Sequence, residues 1–98
     1  MNKYGSYVEK NPCIDFNGKR FVFSGLPGDY PSEKDHPIVQ KVIEKGGQYR
    51  AKVSNKINYF VVVPDEHYYK MNCVLKERQR GVEIKVVLFE DLKKALEG

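Results

Sequence analysis

Ser24 and Gly25 are the first residues in the chain whose type and position combine into usable chemistry. They follow Arg20-Phe21-Val22-Phe23, a short run of strand formers, and the carboxyl end of a strand is where open α/β sheets place their ligands. A hydroxyl, a glycine N–H and the positive end of a following helix would together outline an anion site. Both residues also have a purely local reading: the Ser24 hydroxyl satisfies the turn, and Gly25 supplies its backbone angles. The second feature is a basic stretch, Lys70, Lys76, Arg78 and Arg80, on one predicted helix or just beyond it. It reads either as a solvated face or as a stripe for the phosphate backbone of DNA.

Catalytic combinations are lacking. His36 and His67 lie in separate segments, Ser24 has no Gly-x-Ser-x-Gly setting, and Asp65-Glu66 reads as a helix-start cap rather than a general acid and base. A binding module rather than an enzyme is therefore expected. Cys13 and Cys73 are too few and too far apart for a disulfide framework, so reduced thiols are expected. With the two histidines they show none of the close pairing of metal sites, and no metal is expected. The glycines near Gly25 do not form a Gly-x-Gly-x-x-Gly run, and no cofactor is expected. Tyr68 and Tyr69 read as stacking residues for bases or a partner, or as local packing at a helix start.

These residues need a scaffold. With 98 residues, 41% of them apolar and 31% charged, the chain has room for one domain around one core. A net charge of +4 and a pI near 9.0 favour anionic partners through long-range attraction. No apolar run approaches the roughly 20 residues of a membrane span, and Met1 to Ser6 lacks the apolar stretch of a secretory signal. A cytoplasmic location is expected.

Residues 1–15 hold Tyr4 and Tyr7 among polar residues, with Gly5 and Pro12 breaking any period, and read as an extended lead-in or linker. The domain spans 16–98. Asn17-Gly18 signals a turn before a first strand at 20–23. Gly25 to Pro31 is loop, after which Ser32 or Asp35 is expected to cap a helix with Pro37 in its first turn and Val39, Val42 and Ile43 on one face. Gly46-Gly47 stops that helix through a left-handed C-cap and close helix-to-strand packing. Strands are expected at 48–51 and 58–63, the second apolar enough to be a central parallel strand buried on both faces. A helix from about Glu66 to Gln79 turns Met71, Val74 and Leu75 inward, a fourth strand spans 82–87, and a closing helix aligns Phe89, Leu92 and Leu96. The order β-α-β-β-α-β-α predicts an α/β fold, a four-stranded mostly parallel sheet flanked by three helices.

The run Phe16 to Gly25 resembles the opening of BRCT domains, whose first strand typically ends in Thr-Gly or Ser-Gly. Ile43-Glu44-Lys45-Gly46-Gly47 is similar to the helix end with that family's glycine pair. Val53 to Val62 and Gly81 to Val87 resemble its third- and fourth-strand segments, and Lys70 falls where it often has a lysine near the start of the second helix. The resemblance covers roughly residues 16–97. Phe89 stands where eukaryotic members usually have Trp, which looks more like bacterial members such as the C-terminal domain of NAD-dependent DNA ligase. The first loop is longer than in that ligase, and Lys34, Asp35 and His36 occupy the region where ligase-like members often carry an arginine.

The resemblance implies a non-catalytic interaction module of a DNA repair or replication protein. Its implied partner is a protein or phosphopeptide. In members that bind a phosphate, the hydroxyl at the Ser24 position, the N–H at the Gly25 position and the lysine at the Lys70 position grip the phosphate oxygens together. Two alternatives stay open: binding of DNA ends or duplex through a 5′-phosphate and backbone contacts at Lys76, Arg78 and Arg80, or an architectural docking or dimerisation domain of a larger enzyme such as a ligase or exonuclease. Gly46, Gly47 and Phe89 are expected to be structural. The likeness to bacterial members points to a bacterial cytosol or nucleoid rather than a nucleus.

Overall fold

The computed structural model describes residues 8–10, 12–26, 31–63 and 69–97. Tyr4, Tyr7, most of the first loop, Asp65-Glu66, His67, Tyr68 and the expected start of the second helix lie outside these residues. Runs of β-branched and aromatic residues form four strands: β1 (Arg20–Phe23), β2 (Gln48–Tyr49), β3 (Tyr59–Val62) and β4 (Lys85–Leu88). They lie in the order β2-β1-β3-β4, and every neighbouring pair is parallel. All four residues of β3 are buried, as a continuous apolar run in a covered parallel sheet requires.

Three helices cover this sheet: α1 (Pro37–Glu44), α2 (Tyr69–Gln79) and α3 (Phe89–Glu97). The two-residue period of the strands sorts their side chains between two cores. Phe21, Phe23, Tyr59, Val61 and Val87 meet Ile38, Val39 and Val42 of α1 and Leu92 and Leu96 of α3. On the opposite face Val22, Phe60, Val62 and Val86 meet Met71 and Val74 of α2. The first core is anchored by a ladder of rings, with Phe21 stacked 4.8 Å from Tyr59 and 5.5 Å from Phe16. Full burial of one such side chain contributes about 1.5–3 kcal/mol.

Gly46 takes φ +94°, the left-handed conformation that ends α1. A Cβ on Gly47 would lie 2.6 Å from Val42 Cγ1 and 3.2 Å from Phe21 Cε1, so its bare backbone lets helix and strand approach. Residues well before β1 also touch the sheet and its core. Val8 bridges to Val86, with the Glu9 N–H donating to the Val86 carbonyl at 2.8 Å, and Ile14 packs against the α1–α3 core.

Three local expectations are corrected. Neither Ser32 nor Asp35 caps α1: Ser32 Oγ accepts the Lys34 N–H and caps a separate 3-10 turn, Glu33–Asp35. His36 caps α1 instead, its Nδ1 accepting the Ile38 N–H at 3.1 Å. Pro37 forces the residue before it out of the helical region, which is the conformation an N-cap needs. The fourth strand starts at Lys85 rather than Val82, because the Val82 N–H closes the end of α2 on the Glu77 carbonyl at 3.0 Å. β2 stops at Tyr49 rather than Ala51, and its last rung is the Arg50 N–H on the Phe21 carbonyl at 2.9 Å.

Candidate functional site

Parallel pairing continues one residue past β1, where the Ser24 N–H donates to the Val61 carbonyl at 2.9 Å. There the side chain turns to the neighbouring strand, and Ser24 Oγ accepts the Val63 N–H at 2.8 Å. That bond uses an oxygen lone pair and leaves the hydroxyl proton to donate. Lys70, in the first turn of α2, reaches back across the sheet end and donates from Nζ to the Phe23 carbonyl at 3.0 Å. One of its three N–H donors is thereby used. The carbonyl it holds belongs to the peptide unit that carries the Ser24 N–H, so Ser24, Gly25 and Lys70 converge at the carboxyl rim of β1 and β3. Among the described residues, neither the Ser24 hydroxyl proton nor the Gly25 N–H has an acceptor.

Glu33 also reaches this rim, a role that local pattern does not single out. Its Oε2 accepts the Leu26 N–H at 3.2 Å and its Oε1 accepts the Tyr49 hydroxyl at 2.8 Å, while the Tyr49 ring stacks 6.5 Å from Phe23. Burial, then the hydrogen bond and the charge of Glu33, push Tyr49 well above the ordinary tyrosine range. The carboxylate thus pins the backbone just beyond Gly25. The only clue was the acidic content of the Ser32 to Asp35 turn, which reads equally well as helix capping.

The basic stretch separates into unlike residues. Arg78 is half-buried and donates from Nε and Nη2 to the Ile84 carbonyl at 3.0 and 2.7 Å, tying the end of α2 to the residue before β4. Arg80 pairs with Glu77 at 3.0 Å with its own side chain 76% exposed. Lys76 is exposed on α2. Phe89 opens α3 half-buried against the first core, with Lys93 Nζ 5.1 Å from its ring centroid.

Cys13 is exposed and Cys73 half-buried, and both are free thiols. Among the described residues no group of three or more His, Cys, Asp or Glu could hold a metal ion, and no helix is long and apolar enough to cross a membrane.

A parallel sheet in the order β2-β1-β3-β4, with α1 and α3 on one face and α2 on the other, is a BRCT-like α/β fold. Among solved structures, the C-terminal BRCT domain of human XRCC1 is similar to it with a TM-score of 0.59 and 14% sequence identity, over 85% of this chain and 79% of that one. No protein-family model and no curated protein sequence matches the chain.

Proposed function

We propose that this domain is a non-catalytic interaction module of a DNA repair or replication protein, and that it binds a protein partner or phosphorylated ligand at the carboxyl rim of β1. The observation that carries the reading is the Lys70 Nζ bond to the Phe23 carbonyl, 3.0 Å long, which parks an ammonium beside the Ser24–Gly25 turn. The Lys70 and Ser24 side chains are each fixed by one hydrogen bond and each keeps donor capacity, so little ordering cost remains when an anion arrives. Phosphate oxygens would accept from the Ser24 hydroxyl, the Gly25 N–H and the ammonium, the last as a charge-assisted bond. Glu33 lies against the next N–H and opposes a dianion by like charge, which favours a moderate affinity over a tight one.

The test is an NMR titration of the full chain with a phosphoserine peptide and its unphosphorylated twin. Shifts at Ser24, Gly25 and Lys70 are expected with the phosphorylated peptide alone, and Lys70→Met should weaken binding at least about tenfold. Unchanged affinity in Lys70→Met would remove the site.

A DNA-binding reading draws support from the charge of +4 and from the exposure of Lys76 and Arg80. Backbone contacts release counterions, so anisotropy with a 5′-phosphorylated duplex should show affinity falling steeply with salt. A salt-independent signal excludes that reading. The docking reading draws on Ile43 and Leu88, exposed at 38% and 40%, and predicts self-association in sedimentation at rising concentration.

A further inference from the structure

At the opposite, amino-terminal rim of the sheet, roughly 13 Å from the Ser24 turn along four-residue strands, lies a polar cleft of about 390 Å³. Asn58, just before the central strand, and Tyr59, its first residue, line it, with Lys19, Lys85, Asp15 and Glu83 around them. We propose that this cleft is a second ligand site, built for a carboxylate carried beside a cationic group.

The donors come from the start of the central strand and the residue before it. Tyr59 is only 5% exposed, and its hydroxyl accepts the Asp15 N–H at 3.1 Å. That bond uses an oxygen lone pair, and the hydroxyl proton has no acceptor among the described residues. Asn58 Oδ1 accepts the Arg20 N–H at 2.9 Å, which commits the amide oxygen and leaves the NH₂ group to donate. Both residues therefore offer hydrogens, and a ligand group that meets them must be an acceptor.

The charges around them set the rest of the ligand. Lys85 stands directly across from Tyr59 in the β3–β4 register, and Lys19 immediately precedes β1. Among the described residues the one ion pair within 4 Å is Arg80–Glu77, so the two lysines and the two carboxylates of the cleft do not neutralise one another by direct contact. Two cations and two anions sum to no net charge, which gives a bare dianion no long-range advantage. A carboxylate would take the Tyr59 and Asn58 donors with Lys85, which stands across from Tyr59, while its neighbouring cation faces Asp15 or Glu83. That chemistry has two sources, a free amino acid or an adjacent acidic and basic pair on a partner peptide. The proposal is independent of the Ser24–Lys70 reading, because it shares no residue with it.

The experiment is an NMR titration of the full chain with three probes: L-glutamine, the blocked dipeptide acetyl-aspartyl-lysine amide, and acetate. Saturable shifts at Asn58, Tyr59 and Lys85 are expected with the first or the second, and the better of the two identifies the source. Affinity should fall at least about tenfold in both Tyr59→Phe and Lys85→Glu. Lys85 is exposed, so its variant retains the fold even where Tyr59→Phe does not. Acetate binding as tightly as the other two, the absence of saturable shifts, or unchanged affinity in Lys85→Glu would each overturn the proposal.

Discussion

The Ser24 hydroxyl oxygen accepts the Val63 N–H at 2.8 Å, so the residue that ends β1 also holds the residue that follows β3. Val63 is 4% exposed, and its N–H has little access to water as a substitute partner. Ser24→Ala should therefore cost about 1–3 kcal/mol. Urea unfolding would show a lower midpoint with an unchanged slope, and Ser24→Thr should restore most of the loss. The same bond explains why Lys70, rather than Ser24, is the cleaner position for testing ligand binding.

Gly47→Ala tests the close approach of α1 to β1. With a Cβ 2.6 Å from Val42 Cγ1 and 3.2 Å from Phe21 Cε1, overpacking should cost about 1–3 kcal/mol. Gly18→Ala is the contrast, since nothing lies within 4 Å of a Cβ there and only its φ of +71° opposes the change, at about 1 kcal/mol. Thermal melts should rank the two in that order.

Tyr49 makes stability depend on alkaline pH. Its folded-state pKa lies above the unfolded value of about 10. Below pH 10 both states hold the proton and its contribution is fully present. Above pH 10 the unfolded chain releases the proton first, and stability falls as pH rises. Denaturant midpoints measured from pH 8 to 11 should decline more steeply in the native chain than in Tyr49→Phe. Glu33→Gln should flatten the decline partway, because it removes the neighbouring charge.

Arg78 and Lys76 should behave differently although both are cations of one helix. Arg78→Ala removes two charge-assisted bonds to the Ile84 carbonyl and should destabilise the fold by about 1.5–3 kcal/mol. Lys76→Ala should leave unfolding within about 0.5 kcal/mol of the native chain. Any change in duplex affinity with Lys76→Ala is then attributable to the contact itself.

The sheet was legible in the sequence because its strands announce themselves chemically. Arg20 to Phe23 and the apolar run ending at Val63 are short, β-rich and bounded by turn residues, and the structure places β1 and β3 there. Val82 to Ile84 carries the same apolar alternation as a strand, yet its polar groups go to α2 through Glu77 and Arg78, a tertiary choice that local pattern does not encode. His36 as a cap was hidden because Ser32 and Asp35 are the better intrinsic candidates, and only the 3-10 turn between them decides the matter. The convergence of Ser24 with Lys70 came from family resemblance, whereas Glu33 and Tyr49 needed coordinates. The amino-rim cleft was invisible for a related reason: the 15–19 stretch, Asn58 and Lys85 stand far apart in the chain and meet only when the strands pair.

The bridge from Val8 to Val86 has a consequence for how this sheet meets other chains. An unpaired outer strand is a template on which a second molecule can grow its own sheet. Along β4 that template is interrupted in the middle, because the Glu9 N–H already holds the Val86 carbonyl. At the far side, the Gln48 and Arg50 N–H groups face β1, so alternation turns the Tyr49 carbonyl outward, where Arg50 Nη1 takes it at 3.1 Å. Both flanks are thus blunted by the chain's own residues, and strand-by-strand polymerisation finds no long row of open backbone groups from which to start.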